Sequence, residues 1–98
     1  MRRINYIIIH CSATKANKDF RAADIKKWHL ERGFSDIGYH QIVDLDGTVE
    51  PGRPESQPGA HCKNYNFNSI GICYIGGLDK DGNPADTRTE AQKKSLLR

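Results

Sequence analysis

Tyr6-Ile7-Ile8-Ile9-His10-Cys11-Ser12 constrains the fold of this chain more than any other stretch. β-Branched and aromatic residues suit a pleated surface better than a helix. The apolar run is continuous rather than alternating, which is the pattern of a strand buried on both faces. It stops at a histidine, followed by the small polar residues Ser12-Ala13-Thr14. A buried strand is the most rigid element a small domain has, so a side chain at its end is held in one position. His10 is therefore a candidate ligand or acid–base group, set against the plainer alternative of a histidine that merely closes a strand.

A chain of 98 residues is enough for one domain with a modest core, and residues 1–98 read as a single domain. Hydrophobic residues at 37% and charged residues at 28% lie in the globular range, which argues against disorder. No apolar run is long enough to insert in a membrane. The basic start, Met1-Arg2-Arg3, leads into only three isoleucines before His10, too short for the core of a signal peptide. The expected product is cytoplasmic as synthesised, and any export would use another route. Cys11, Cys62 and Cys73 are an odd number with no Cys-x-x-Cys pair, so no disulfide framework is expected. The net charge of +3 favours an anionic polymer as partner. Lys and Arg are scattered without aromatic interleaving, which argues against nucleic acid.

Along the chain, a helical pattern runs from about Asp19 to Arg32, with Asp19 as cap, Asp24 early and Lys26, Lys27 and Arg32 late. Ile25, Trp28 and either Leu30 or His29 form its buried stripe, and Gly33 ends it. On this pattern Trp28 and His29 are packing residues. Gly38 to Val43 and Thr48 to Glu50 flank Asp46-Gly47, a signal for a hairpin with a tight primed turn. Residues 52–69 are rich in Gly, Pro, Asn and Ser and read as a long surface loop, which in a compact domain is usually functional. Ile70 to Ile75 is a second buried strand, and Asp81-Gly82 turns the polar connection that follows it. Thr89-Glu90-Ala91-Gln92 is a capping-box start to a last helix.

Four histidines, His10, His29, His40 and His61, could serve a site. A catalytic zinc takes three protein ligands and keeps one position open, and no local motif such as His-Glu-x-x-His is present. Any such site must be assembled from distant elements. Tyr39 and His40 are neighbours on a strand, so only one can face a site shared with His10. Cys11 should turn away from the face His10 uses, as a packing thiol. His61 lies on the long loop, a place from which side chains often line clefts.

Three ordered segments carry a resemblance. They are Ile9-His10-Cys11-Ser12-Ala13-Thr14; Asp36-Ile37-Gly38-Tyr39-His40 with Asp46-Gly47-Thr48-Val49-Glu50-Pro51-Gly52-Arg53; and Gly59-Ala60-His61-Cys62-Lys63-Asn64-Tyr65-Asn66-Phe67-Asn68-Ser69-Ile70-Gly71-Ile72. Together they resemble the zinc-dependent N-acetylmuramoyl-L-alanine amidases, in the branch that includes the T-odd phage lysozyme and the animal peptidoglycan recognition proteins. The resemblance implies an α/β fold, a mixed central β-sheet flanked by helices with a zinc cleft on one face. It implies Zn2+ as cofactor, His10 as first metal ligand, Tyr39 as catalytic residue beside the zinc-bound water, and His61 as a substrate-binding residue of the groove. Peptidoglycan or muropeptide is the implied partner, cut between the lactyl group of N-acetylmuramic acid and L-alanine. Some branches carry a glutamate where this chain has Cys73, so the tyrosine type of site is the consistent one.

The family's second and third zinc ligands, a histidine and a cysteine or aspartate, lie beyond the segment that matches Arg98. On the resemblance, the chain is expected to be the N-terminal portion of an amidase domain about one and a half times its length, a usual domain size. The 98 residues alone are expected to bind zinc poorly and to be inactive. His40, His61, Cys62 and Cys73 are not expected to fill the gap. A phage-type lysin and a cytoplasmic recycling enzyme both fit the absent signal peptide. The alternative function is a muropeptide-binding module of the same fold that does not cut.

Overall fold

The computed structural model describes residues 3–16 and 18–97. A four-stranded sheet in the order β1-β5-β3-β4 is built from β1 (Tyr6–Cys11), β3 (Gln41–Val43), β4 (Val49–Pro51) and β5 (Ser69–Tyr74). β5 runs parallel to both β1 and β3, while β4 returns antiparallel to β3, so the sheet is mixed. Two short strands, β2 (Thr14–Lys15) and β6 (Gly77–Leu78), form a second parallel pair. Helices α1 (Ala22–Glu31) and α2 (Glu90–Leu96) complete the described elements. The expected α/β class, a mixed sheet flanked by helices, is the class observed.

The position of β1 corrects the sequence expectation. Among the described strands it pairs only with β5 and stands at the sheet edge, not the centre. Ile7 and Ile9 keep 67% and 51% of their surface exposed, although the run is continuously apolar. The register explains which face is covered. Tyr6, Ile8 and His10 lie opposite Ser69, Gly71 and Cys73, and Ile42 lies beside Cys73, so these residues share one face. Ile42, Ile25 of α1, Ile37 and Ile75 form the core on that face, with Phe20, Trp28 and Tyr39 packed against them. Burying each isoleucine contributes roughly 1.5–3 kcal/mol. On the other face α2 lies over β3, and its Lys93 and Leu96 border a cavity that Ile9 also lines, while Ile7 stays mostly exposed.

Helix α1 starts later than its charge pattern implies. Arg21, not Asp19, is the residue before the first turn, and the Asp24 carboxylate accepts from its backbone N–H at 2.8 Å. Glu50 of β4 accepts from the Ala22 N–H at 2.8 Å, which puts a carboxylate at the positive end of the helix. Asp19 pairs with the Arg21 guanidinium instead. His29, not Leu30, is the buried choice in the helical stripe. Gly33 ends the helix at φ +94°, as its position suggested.

The hairpin is present but its turn is wider than a two-residue primed turn. Val43 pairs with Val49, leaving five residues between, and only Gly47 has positive φ. A Cβ on Gly47 would sit 2.9 Å from Ala91, because α2 packs on this turn. Thr89 and Gln92 form the expected capping box, with reciprocal bonds of 2.9 and 3.0 Å. The fully buried Gln92 amide then donates to the carbonyls of Ile75 and Val43, tying α2 to the ends of β5 and β3.

Under the hairpin, Asp44 is fully buried beside Glu50 and accepts from Arg21 at 3.0 Å. Burial, and next the neighbouring Glu50 carboxyl, raise the Asp44 pKa to about 6, and the Arg21 contact only partly opposes them. The folded value lies above the unfolded one of about 3.9, so the fold binds the extra proton. This stabilisation is complete below the unfolded pKa and is lost as pH rises through the folded one. Asp44→Asn mimics the protonated form. Urea unfolding from pH 4.5 to 7.5 should therefore show the wild type losing on the order of 1 kcal/mol relative to the variant as pH rises. A constant difference would show that Asp44 does not titrate in this range.

Candidate metal and substrate site

The end of β1 faces the start of the hairpin and the middle of the long loop. His10, Tyr39 and His61, three residues far apart in sequence, meet there. Their ring centroids lie 5.4 Å apart for His10 and Tyr39, 5.0 Å for His10 and His61, and 6.2 Å for Tyr39 and His61. His10 Nε2 and His61 Nδ1 are 3.0 Å apart, within hydrogen-bond range.

Each ring is held by its backbone. Gly38, just before Tyr39, donates its N–H to His29 Nδ1 at 2.8 Å and accepts from Ala60, just before His61, at 2.9 Å. Gly38 and Ala60 both lie outside the strands, and β3 starts at Gln41 rather than at Gly38 as expected. A Cβ at Gly38 would stand 2.4 Å from the Ala60 carbonyl oxygen, so these two segments approach this closely only because glycine is there. This one residue keeps Tyr39 and His61 in register. The Asn66 side-chain oxygen accepts from the His61 and Cys62 N–H groups at 3.0 and 2.9 Å and fixes the loop. Beneath the His61 ring lies Gly71 of β5, where a Cβ would come within 2.5–2.7 Å of three ring atoms.

The protonation states suit a ligand and a donor. Burial holds the His10 pKa below its ordinary value, so the ring is neutral at neutral pH with a lone pair to give. Burial, followed by the neighbouring Cys73 thiol, raises the Tyr39 phenol to about 12, so it stays an O–H donor. Burial also lowers His29, with Arg32 and Arg53 adding to the effect, which keeps Nδ1 available to accept from Gly38. His29 is thus more than a packing residue: it holds the backbone from which Tyr39 projects.

His40, Cys73 and Cys11 are placed otherwise. His40 donates from Nε2 to the Gln57 carbonyl at 2.8 Å and accepts at Nδ1 from the Gly71 N–H at 2.9 Å, so both nitrogens are used. Cys73 is fully buried, and burial pushes its thiol up to about 12. Cys11 lies on the face opposite His10, and its sulfur stands 2.4 Å from where a Cβ on Gly77 would be. It is half-buried rather than buried. Among the described residues no group of three or more His, Cys, Asp or Glu is gathered to hold a metal. The donor chemistry therefore fits one imidazole ligand with a phenol beside it, not a closed set. A cavity of about 440 Å³ runs along β4 past Gln41, Val49 and Glu50, and none of the three rings lines it.

Asn66, Ser69 and Gly71, which carried no individual role in the motif that contains them, support the site, and so does His29, read from the helical pattern as packing. Gly71 alone left a signal, as a glycine interrupting an otherwise apolar strand, which often marks close approach of another group.

Comparison with known proteins gives the family. The chain belongs to the N-acetylmuramoyl-L-alanine amidase family, whose model matches residues 1–98. The endolysin of Klebsiella phage KP32 is 49% identical over 90 residues, covering 92% of this chain and 60% of that protein. The N-acetylmuramoyl-L-alanine amidase LysC from Clostridium intestinale superposes with a TM-score of 0.83 at 30% identity, over 98% of this chain and 59% of that one. The ectodomain complex of peptidoglycan recognition proteins LCa and LCx, solved with tracheal cytotoxin bound, matches with a TM-score of 0.70 at 31% identity, over 98% of this chain and 61% of that one. The chain thus spans about 60% of the length of the endolysin it matches.

Gly71→Ala should push the His61 ring away and separate it from His10, at a cost of about 1–3 kcal/mol in stability. Urea unfolding and the ring NMR signals of His61 and His10 check this. Unchanged ring signals in a folded variant would mean that His61 does not rest on Gly71.

Proposed function

We propose that this chain forms one wall of a zinc-dependent amidase site that cuts peptidoglycan between N-acetylmuramic acid and L-alanine. The observation that carries the reading is the meeting of His10, Tyr39 and His61 at the end of β1. The family membership and the endolysin relatives support the reaction class.

In this reading His10 supplies one ligand nitrogen from a rigid strand end. A catalytic zinc takes three protein ligands, and no such group is gathered among the described residues, so these 98 residues by themselves are proposed to be inactive. Zinc, when bound, supplies Lewis acidity that lowers the pKa of a bound water from about 15.7 to roughly 7. Tyr39, kept protonated, donates its O–H toward the negative charge that develops on the lactyl carbonyl oxygen, or orients the attacking water. The C–N bond to L-alanine breaks, the carbonyl gains the hydroxyl and the amine takes the proton. His61 lines the groove beside the muropeptide. Delivery to the cell wall by a phage-type route fits the endolysin relatives. Among the described residues no helix is long and apolar enough to cross a membrane.

A second reading, muropeptide binding without cleavage, has one observation in its favour: no three-ligand group is gathered among the described residues. Both readings meet in one experiment on the complete translation product. With purified muropeptide, product masses should show free stem peptide, and a chelator or His10→Ala should abolish its release. Tyr39→Phe should keep the zinc and lose roughly 10²–10³-fold in kcat. Binding without any product would favour the second reading, and cleavage between sugars would sink both.

A further inference from the structure

We propose that His61, backed by Ser69, fixes the tautomer of His10 and so selects which of its ring nitrogens meets the metal. The proposal rests on the zinc reading of His10 and deepens it by giving His61 a positioning role beyond lining the groove.

One direction of this hydrogen-bond chain satisfies every contact in it. Ser69 Oγ lies 2.7 Å from the Tyr65 carbonyl oxygen. A carbonyl can only accept, so the single hydroxyl proton of Ser69 points there. The same Oγ lies 3.4 Å from His61 Nε2, and with its proton already given it is the acceptor in that contact. Neutral His61 then carries its proton on Nε2, and Nδ1 holds a lone pair. His61 Nδ1 stands 3.0 Å from His10 Nε2, so His10 donates from Nε2. A neutral imidazole has one N–H, which leaves His10 Nδ1 as the nitrogen with a lone pair. Among the described residues no hydrogen bond engages it.

The support for His61 is rigid enough to make this selective. Ser69 is fully buried, the Gly71 backbone floors the ring, and Asn66 pins the His61 backbone. Partners that hold the second nitrogen of a metal-binding histidine set its tautomer and ring orientation. Here a carboxylate is replaced in that role by a second histidine whose own proton is set by a serine.

Ring-labelled 15N NMR of the metal-free protein, at a pH where the imidazoles are neutral, tests this directly. The bridging proton should show its one-bond coupling to His10 Nε2, with a coupling across the hydrogen bond to His61 Nδ1. A proton attached to His61 Nδ1, or to His10 Nδ1, would overturn the proposal. This readout needs no bound zinc, so it stands or falls separately from the amidase reading. In the complete translation product, Ser69→Ala should weaken zinc affinity about 10-fold, measured against a chelating dye, and Ser69→Thr should largely restore it. Equal affinity in the wild type and a folded Ser69→Ala protein would contradict it, and if that variant does not fold, the wild-type coupling decides.

Discussion

The parallel ladder between β1 and β5 is the constraint on which the rest of this structure depends. Its register sets His10 beside Cys73 and, through Gly71 two residues earlier, provides the floor on which the His61 ring lies. A shift of one residue would turn His10 to the opposite face and Cys11 toward the cleft. The histidine, the phenol and the loop imidazole would no longer meet. β5 is held in turn by β3 on its other side, and β3 starts directly after Tyr39 and His40. One strand thus anchors all three contributors.

Glycines do much of the assembly because the site requires backbone and rings to approach more closely than a Cβ allows. Gly38 brings the Tyr39 and His61 segments together, and Gly71 admits the His61 ring. The imidazoles around them divide the work. His29 and His40 spend their nitrogens on backbone groups of Gly38, Gly71 and Gln57, which makes them part of the frame. His10 spends one nitrogen on His61, and among the described residues no hydrogen bond engages the other.

Much of this was legible in the residues, and the limits have physical causes. The strand at Tyr6, the helix stop at Gly33 and the Thr89–Gln92 capping box could be read because each depends on local chemistry. The expectation that His10, Tyr39 and His61 share a site came from ordered motifs, and the three rings do lie together. What local pattern could not supply was position in the sheet. A continuous apolar run is the same for a central strand and for an edge strand with an uncovered face, so Ile7 and Ile9 were misjudged. Likewise, the start of α1 depends on Glu50 reaching from β4, a contact 28 residues away that outweighs the capping preference of Asp19. His29 and Leu30 share the helical stripe almost equally by angle, and the Gly38 N–H decides between them. Ser69 looked like the end of a loop, and its hydroxyl has a role only once His61 lies above it.

The central claim is that the end of β1 presents His10 as a metal ligand through Nδ1. A crystal structure of the zinc-loaded complete translation product, with anomalous data at the zinc edge, tests it most directly. The account predicts one zinc about 2.0–2.1 Å from His10 Nδ1, with His10 Nε2 still bonded to His61 and Tyr39 beside the metal. Zinc bound through His10 Nε2, or held by His40, Cys62 or Cys73 instead, would contradict it.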